Sequence, residues 1–256
     1  MEVAAVILCG GKGSRMLARG EETHKPLLEV GGMPSTKFVI NKLTNSGLNF
    51  SQIIVVVPTN RISEYESALL GLDCIVVPQT LPLGTGNAVY VALEYLNQTI
   101  EHVYVSFGTQ PLIRNETVED ALKAHVDGEF GFTLATVVMD HPYAPLIRNK
   151  SGQVIGSLET HLDGAEMPNR GETNVGSYWA SRYALNSVLV RLHQQLYLDT
   201  YEKYNTISGE LGYPNEMVKG CLEYGISIEG ALVAEEIEMI GIKTPETLEK
   251  IRQILG

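Results

Sequence analysis

The sequence contains little cysteine, little positive charge and no long apolar run. Its three cysteines, Cys9, Cys74 and Cys221, are too few and too widely spaced for a disulfide framework or a zinc site. Nineteen Lys and Arg residues against thirty Asp and Glu give a formal net charge of −11, so neither nucleic acid nor an anionic membrane is an expected partner. No apolar run approaches the ~20 residues that span a bilayer. Because the N-terminus lacks the basic flank of a secretory signal, we expect a cytoplasmic protein.

The chain has 256 residues, 44% of them hydrophobic, which is enough for a large buried core. Short β-rich runs alternate with amphipathic stretches in its first half. The runs lie at 3–9, 53–57, 74–78, 103–107 and 130–138, and the helical stretches at 36–46, 62–70, 87–96 and 118–126. Alternation of this kind predicts an α/β fold, with a Rossmann-like, mostly parallel sheet and helices on both of its faces.

The second half is less regular and predicts a small β lobe inserted into the same domain. A hairpin is expected at 144–149 and 154–159, a strand at 174–180 and 226–233, helices at 184–197, 215–224 and 245–255, and loops at 161–172 and 201–214. We therefore expect one domain over 1–256, divided into the halves 1–138 and 139–256.

A glycine-rich segment follows the first predicted strand, from Leu8 to Met16. Glycines at 10, 11 and 13 let backbone N–H groups approach a phosphate closely, and Lys12 and Arg15 supply local positive charge. The dinucleotide fingerprint needs a glycine where Met16 stands, which disfavours a Rossmann oxidoreductase, and the P-loop needs Ser or Thr directly after its lysine. A strand-to-helix turn without a ligand is the alternative interpretation.

Several motifs in the expected order resemble the signature of the sugar-1-phosphate nucleotidyltransferases. They are Gly10-Gly11-Lys12-Gly13-Ser14-Arg15-Met16, Lys25-Pro26-Leu27-Leu28, Gly31-Gly32-Met33-Pro34, Gln79 with the base-reading segment Leu83-Gly84-Thr85-Gly86-Asn87-Ala88, Glu159, and Glu172-Thr173-Asn174-Val175-Gly176. The segment around Gly84 looks closest to the N-acetylglucosamine-1-phosphate uridylyltransferase domain. At this length we expect that domain alone, without the acetyltransferase part of the bifunctional enzyme. The resemblance implies a glycosyltransferase-A-like fold, with nucleotide bound by 1–138 and sugar phosphate by 139–256.

The resemblance also implies a role for individual residues. Arg15 and Lys25 are the expected catalytic residues, and Glu159 and Asn174 the expected sugar-phosphate ligands. The expected nucleotide-binding residues are Leu8, Gly10, Gly11, Gly13, Ser14, Gln79, Gly84 and Thr85. Gln79 can donate and accept at once and so can read one edge of a base. The alternatives are an exposed loop lysine at 25 and an ordinary polar residue at 79.

The implied reaction joins a nucleoside triphosphate to a sugar-1-phosphate and releases pyrophosphate. UTP is the first choice, ahead of thymidine, cytidine and guanosine triphosphates. The sequence departs from the family at the metal site, because Thr109 stands where the family has a Mg²⁺-binding Asp and Lys243 occupies the expected second ligand position. Three interpretations remain open: Mg²⁺ held mainly by substrate phosphates, the Lys243 ammonium in place of the metal, or a catalytically impaired homologue that binds nucleotide as a regulatory partner.

Overall fold

The structure, a computed structural model, describes residues 1–11, 23–158 and 168–256. Its main strands are β1 (Val3–Leu8), β2 (Phe50–Pro58), β3 (Ile75–Gln79), β4 (His102–Phe107), β5 (Phe132–Asp140), β6 (Leu146–Arg148), β7 (Val154–Ser157), β8 (Arg170–Ser181) and β9 (Ile228–Leu232). The α-helices in these ranges are α1 (Ser35–Thr44), α2 (Ile62–Ala68), α3 (Thr85–Leu93), α4 (Asn115–Asp127), α5 (Arg182–Leu185), α6 (Arg191–Leu196), α7 (Pro214–Glu223) and α8 (Pro245–Leu255). A π-helical turn, Asn186–Val190, joins α5 to α6.

The central sheet has the strand order β9-β5-β8-β4-β1-β2-β3. Strands β4, β1, β2 and β3 run parallel, β9 runs parallel to β5, and β8 is antiparallel to both of its neighbours. The predicted mostly parallel α/β fold is thereby confirmed. The order reverses at β1, whose neighbours β2 and β4 lie on opposite sides of it. In open α/β sheets, ligands bind outside the carboxyl ends of the strands at such a point.

Burial on both faces explains why β1 has no polar residue. Ala4, Val6 and Leu8 pack into the core on one face of the sheet, and Val3, Ala5 and Ile7 into the core on the other. Parallel strands covered by helices on both sides are continuous apolar runs for this reason. None of the helices in the described ranges has the length and apolarity needed to cross a bilayer.

Two elements differ from the sequence-based prediction. Strand β8 begins at Arg170, four residues before the predicted start, because Arg170 pairs with β5 and its guanidinium contacts Asp140 at 2.7 Å. Residues 170–173 show no alternation of apolar and polar side chains, so the sequence did not predict a strand there. The predicted loop 201–214 contains a short antiparallel pair, Tyr197–Leu198 with Lys203–Tyr204, after which the chain turns back towards α3.

Candidate functional site

A cavity of about 440 Å³ lies at the carboxyl ends of β1, β3 and β4, beside the point where the strand order reverses. It is lined by Leu8, Gly10, Gly11, Gln79, Pro82, Gly84, Thr85, Ala88, Phe107, Ser208, Glu210, Leu211 and Gly212. The structure thus brings six residues of the predicted nucleotide site together: Leu8, Gly10, Gly11, Gln79, Gly84 and Thr85. Their part in nucleotide binding stays a prediction.

Four residues of the predicted site lie outside the described residues. Gly13, Ser14 and the predicted catalytic Arg15 fall in 12–22, and the predicted sugar ligand Glu159 falls in 159–167. Their roles therefore rest on the sequence resemblance alone.

Gln79 lies at the end of β3, and its side chain is held in one orientation. Its Nε2 donates to the carbonyl of Gly84 at 3.0 Å and to Oδ1 of Asn87 at 2.9 Å. The residue is only 6% exposed, so these bonds form in a largely dry environment. Its Oε1 lies 2.8 Å from the position that a Cβ at residue 10 would occupy. Glycine at 10 therefore leaves room for this oxygen beside the cavity.

One wall of the cavity comes from the segment 208–212, which the sequence analysis did not assign to the site. The amide of Gly86 donates to the Leu211 carbonyl at 2.8 Å, and the Leu211 amide donates to the Leu83 carbonyl at 2.7 Å. A Cβ at Gly84 would meet the Leu211 oxygen at 2.4 Å, and one at Gly86 would meet the Gly212 oxygen at the same distance. These glycines thus allow the neighbouring chain segment 208–212 to approach closely.

The first turn of α3 completes this contact. The Tyr213 amide donates to Oγ1 of Thr85 at 2.9 Å, and α3 begins at Thr85 itself. The N-terminus of α3 therefore borders the cavity next to the 208–212 wall, and the Leu211 carbonyl accepts from one of its first amides, that of Gly86. No local sequence signal marks this wall, because it depends on pairing across more than 120 residues.

Lys25 begins a short 3-10 helix, and the residue before it, His24, connects this helix to the glycine segment. His24 is buried, and its ring nitrogens contact the Gly11 carbonyl at 3.2 Å and the Tyr65 hydroxyl at 2.8 Å. Burial lowers the pKa of His24, which favours the neutral ring. A neutral ring that donates to Gly11 accepts from Tyr65. The sequence analysis missed His24, although it directly precedes the Lys-Pro motif.

Thr109 lies just after β4, where the sequence resemblance predicts a metal-binding carboxylate. Gly108 packs against Cys9, since a Cβ there would lie 2.6 Å from Sγ, and its amide donates to the Leu8 carbonyl at 3.0 Å. The turn at 108–109 therefore lies beside the glycine segment. The Thr109 carbonyl accepts from the Ile242 amide at 2.8 Å, which brings the chain before Lys243 to the same place.

The donor set around Thr109 does not fit a Mg²⁺ ion held by the protein. Within the described ranges, no group of three or more His, Cys, Asp or Glu side chains is placed to hold a metal ion. The Lys243 ammonium lies 4.8 Å from the centroid of the Tyr143 ring, a cation–π contact. Hard divalent ions take carboxylate or carbonyl oxygens, whereas the side chain at 109 offers a hydroxyl.

Asn174, the predicted sugar ligand, lies in β8 where the strand is irregular. Its register with β5 shifts between Asn174 and Tyr178, and Gly176 takes a φ of +83°. The Tyr178 hydroxyl donates to Oδ1 of Asn174 at 2.7 Å, while Nδ2 of Asn174 is buried without a partner among the described residues. Irregular strand segments of this type often aim side chains into active sites. Asn174 does not line the cavity at Gln79.

Glu172, in the same motif, is engaged by an arginine. Nε and Nη2 of Arg148 contact the two carboxylate oxygens of Glu172 at 2.6 and 2.8 Å, and Nη1 contacts Glu229 at 3.0 Å. Burial by itself raises the pKa of Glu172, but hydrogen bonds from Arg148 and Thr136 outweigh it and hold the pKa below its ordinary value. This network fastens the β6–β7 hairpin to β8 and β9.

Comparisons with known proteins decide the family. The profile of the MobA-like NTP transferase domain matches residues 5–169, more than half of the chain. The chain belongs to this family. The resemblance to sugar-1-phosphate nucleotidyltransferases, found in the sequence motifs, is confirmed at the level of the family.

The curated relatives of this NTP transferase domain include the bifunctional protein GlmU of several bacteria. That of Clostridioides difficile is 27% identical over 258 residues, which cover 100% of this chain and 52% of the relative. That of Heliobacterium modesticaldum is 32% identical over 187 residues, or 72% of this chain and 39% of the relative. The chain thus spans about half the length of the first of these relatives.

Solved structures of similar fold include HddC from Yersinia pseudotuberculosis, with a TM-score of 0.69 and 17% identity over the whole of both chains. A nucleotidyl transferase from Methanothermobacter has a TM-score of 0.62 and 18% identity, covering 99% of this chain and 97% of its own. At these identities the likeness shows a shared fold. The domain is a nucleotidyltransferase by family, and its substrates are matters for proposal.

Proposed function

We propose that this domain joins UTP and a sugar-1-phosphate to give a UDP-sugar and pyrophosphate. The observation that carries the proposal is the cavity at the reversal point of the sheet, which gathers six residues of the predicted nucleotide site. Its volume of about 440 Å³ lies in the range of small-molecule sites, which run from about 300 to 1,000 Å³.

The orientation of Gln79 supports uridine as the base. Both described hydrogen bonds of its side chain use the amide NH₂ group, which leaves Oε1 as the group beside Gly10. A fixed acceptor pairs with a ring N–H, which uracil, thymine and guanine carry, and it repels the unprotonated N3 of cytosine. We place uridine ahead of thymidine and guanosine because the segment around Gly84 resembles the uridylyltransferases.

The chemistry is an in-line displacement at the α-phosphorus. An oxygen of the sugar-1-phosphate forms the new bond, and the bond from the α-phosphorus to the bridging oxygen breaks, so that pyrophosphate leaves with the electron pair. Such a reaction needs positioning and charge cancellation more than covalent catalysis. We assign Lys25 to the α-phosphate and the incoming phosphate, Arg15 to the leaving pyrophosphate, and the amides of Gly10, Gly11 and Gly13, with Ser14, to the triphosphate chain.

The triphosphate would enter as its Mg²⁺ complex, with the ion carried by the phosphate oxygens. This assignment agrees with the lack of a carboxylate at Thr109, and no step requires a metal held by the protein. On the sugar side, the partnerless Nδ2 of Asn174 is suited to donate to a hydroxyl or to an acyl oxygen, and we pair it with Glu159.

Thr109 also favours a second candidate, a protein that binds nucleotide or sugar nucleotide without turnover and acts as a regulatory partner. Exchange of a carboxylate for a hydroxyl lowers the affinity of a hard cation, and the Lys243 ammonium makes a cation–π contact with Tyr143. The two candidates share the nucleotide cavity and differ only in catalysis.

Pyrophosphate release separates the candidates. Each of the common nucleoside triphosphates is paired with a panel of sugar-1-phosphates, with and without Mg²⁺, using the unmodified protein, Thr109→Asp and Lys25→Ala. We expect release by the unmodified protein, fastest with UTP, dependent on Mg²⁺ and strongly reduced in Lys25→Ala. Release that appears only in Thr109→Asp, with UTP bound by both proteins, would establish the binding role. No nucleotide binding by either protein would refute both candidates.

A further inference from the structure

We propose that Asn87, Tyr204 and His193 form a directional hydrogen-bond relay that fixes which end of the Gln79 amide faces the base. The inference rests on the proposed nucleotide site and adds three positioning residues to it. Asn87 belongs to the segment expected to read the base, without a role of its own there, and Tyr204 and His193 were not singled out in the sequence. It assigns the selectivity between uracil and cytosine to residues that do not themselves touch the base.

The relay begins at a firmly held imidazole. The His193 ring is stacked between the rings of Tyr90 and Tyr197, with centroids 4.1 and 4.8 Å away and interplanar angles of 14° and 18°. Burial lowers the pKa of His193, so the neutral ring predominates near pH 7. Its Nδ1 lies 2.9 Å from the Tyr204 hydroxyl, within range to accept a proton from it.

The Tyr204 hydroxyl in turn orients the side-chain amide of Asn87. The Tyr204 hydroxyl accepts from Nδ2 of Asn87 at 3.0 Å, so its own proton is available for His193. Tyr204 is fully buried and Asn87 is 7% exposed, so an unpaired donor or acceptor here would cost a large desolvation free energy. Each partner thereby restricts the orientation of the next.

The orientation of Asn87 in turn fixes the orientation of the Gln79 side-chain amide. Because the NH₂ group of Asn87 is directed to Tyr204, its Oδ1 faces Gln79 and accepts from Nε2 at 2.9 Å. A second bond from Nε2 to the Gly84 carbonyl supports the same orientation. The Gln79 Oε1 is therefore left beside Gly10 as an acceptor, the polarity that suits the N3–H of uracil and opposes the N3 of cytosine.

The relay also links the base-reading residue to the wall of the cavity. Tyr204 lies four residues before the segment 208–212 that forms this wall, and its backbone amide donates to the Gly209 carbonyl at 3.0 Å. Its hydroxyl contacts Asn87 of α3 and His193 of α6, and Asn87 in turn contacts Gln79 at the end of β3. A phenol that only filled space in this position would have no need of two polar partners.

Equilibrium binding of UTP and CTP tests the relay without knowledge of the sugar. The variants are Tyr204→Phe, which removes the hydroxyl and keeps the ring, and Asn87→Leu, which removes the direct partner of Gln79. Tyr201→Phe, at an exposed tyrosine of the same short hairpin, is the matched control. Calorimetric titration gives the ratio of the CTP to the UTP dissociation constant for each protein, and circular dichroism verifies that each is folded.

The unmodified protein is expected to bind UTP more tightly than CTP. The loss of one neutral hydrogen bond from the relay should reduce the ratio roughly two- to tenfold in Tyr204→Phe, and more in Asn87→Leu, while Tyr201→Phe keeps the full ratio. An unchanged ratio in folded Tyr204→Phe, with UTP still bound, would overturn the relay and leave the proposed function intact. Failure of the unmodified protein to bind UTP would overturn both.

Discussion

Gly86 offers the sharpest test of how the cavity wall is held. Its own backbone is ordinary helix at the start of α3, where alanine is the better helix former by up to about 1 kcal/mol. Helix propensity alone therefore predicts that Gly86→Ala stabilises the protein. The tertiary contact predicts the opposite, because a Cβ at this position would lie 2.4 Å from the Gly212 oxygen and 2.8 Å from Cγ of Leu211.

The size of the expected change in stability depends on how the structure accommodates the new Cβ. Overpacking of a tight contact costs about 1–3 kcal/mol. If the wall withdraws instead, the Gly86 N–H to Leu211 bond and the Tyr213 N–H to Thr85 bond are lost, at about 0.5–1.5 kcal/mol each. From the middle of either range, about 2 kcal/mol, we subtract a helical gain of up to about 1 kcal/mol and expect Gly86→Ala to lower the free energy of unfolding by roughly 1–2 kcal/mol.

Urea denaturation followed by circular dichroism measures this change. Gly212→Ala is the matched control, since it places a Cβ on the other side of the same contact, at an ordinary φ and with no heavy atom within 4 Å. That variant should stay within about 0.5 kcal/mol of the unmodified protein. If Gly86→Ala were as stable as the unmodified protein, or more stable, the wall would not depend on the close approach that the structure shows.

Two further predictions concern stability away from the cavity. Arg114→Ala should lower the free energy of unfolding by about 2–3 kcal/mol, because it removes the guanidinium from the fully buried Glu238 carboxylate, which keeps hydrogen bonds from the Thr117 hydroxyl and the Glu235 amide. Arg61→Ala, at the more exposed pair with Glu64, should cost below about 1 kcal/mol. Equal losses in urea denaturation would contradict this. Burial lowers the pKa of His125 to about 3, so the unfolded chain binds a proton at this residue more readily than the folded chain does. The stability that His125 contributes is therefore complete above about pH 6.5 and is lost as the pH falls towards 3. The slope is at most about 1.4 kcal/mol per pH unit. The variant His125→Gln should flatten this slope in denaturation measured from pH 7 to 5, and an unchanged slope would show that other groups cause it.

Much of the site could be located from the sequence because its parts are local. The glycine segment after β1, the Lys-Pro motif and the residues after β3 each carry their signal within a few neighbouring positions. The parallel-sheet rule then places the ends of these strands at one edge. The absence of a carboxylate at Thr109 was equally visible, since a motif read position by position exposes a substitution directly.

The elements that sequence analysis missed depend on contacts between distant segments. His24 is informative only when the Gly11 carbonyl and the Tyr65 hydroxyl lie on either side of its ring. Strand β8 begins early because Asp140 of β5 is there to pair with Arg170. Neither partner is a neighbour in the sequence, so no periodicity or local propensity reports it.

The sequence by itself determined the fold class, the family and the position of the glycine-rich segment after β1, because apolar periodicity and short motifs are properties of local chain segments. Tertiary structure alone decided why residues 84 and 86 are glycines, which segment closes the cavity and which way the Gln79 amide points. The first two features arise because backbone groups more than 100 residues apart come within hydrogen-bonding distance of one another. The third depends on the side-chain hydrogen bond between Asn87 and the distant Tyr204 as well as on nearby partners of Gln79. The direction of a buried amide is then set by the complete network of its partners, and that network exists only in the folded chain.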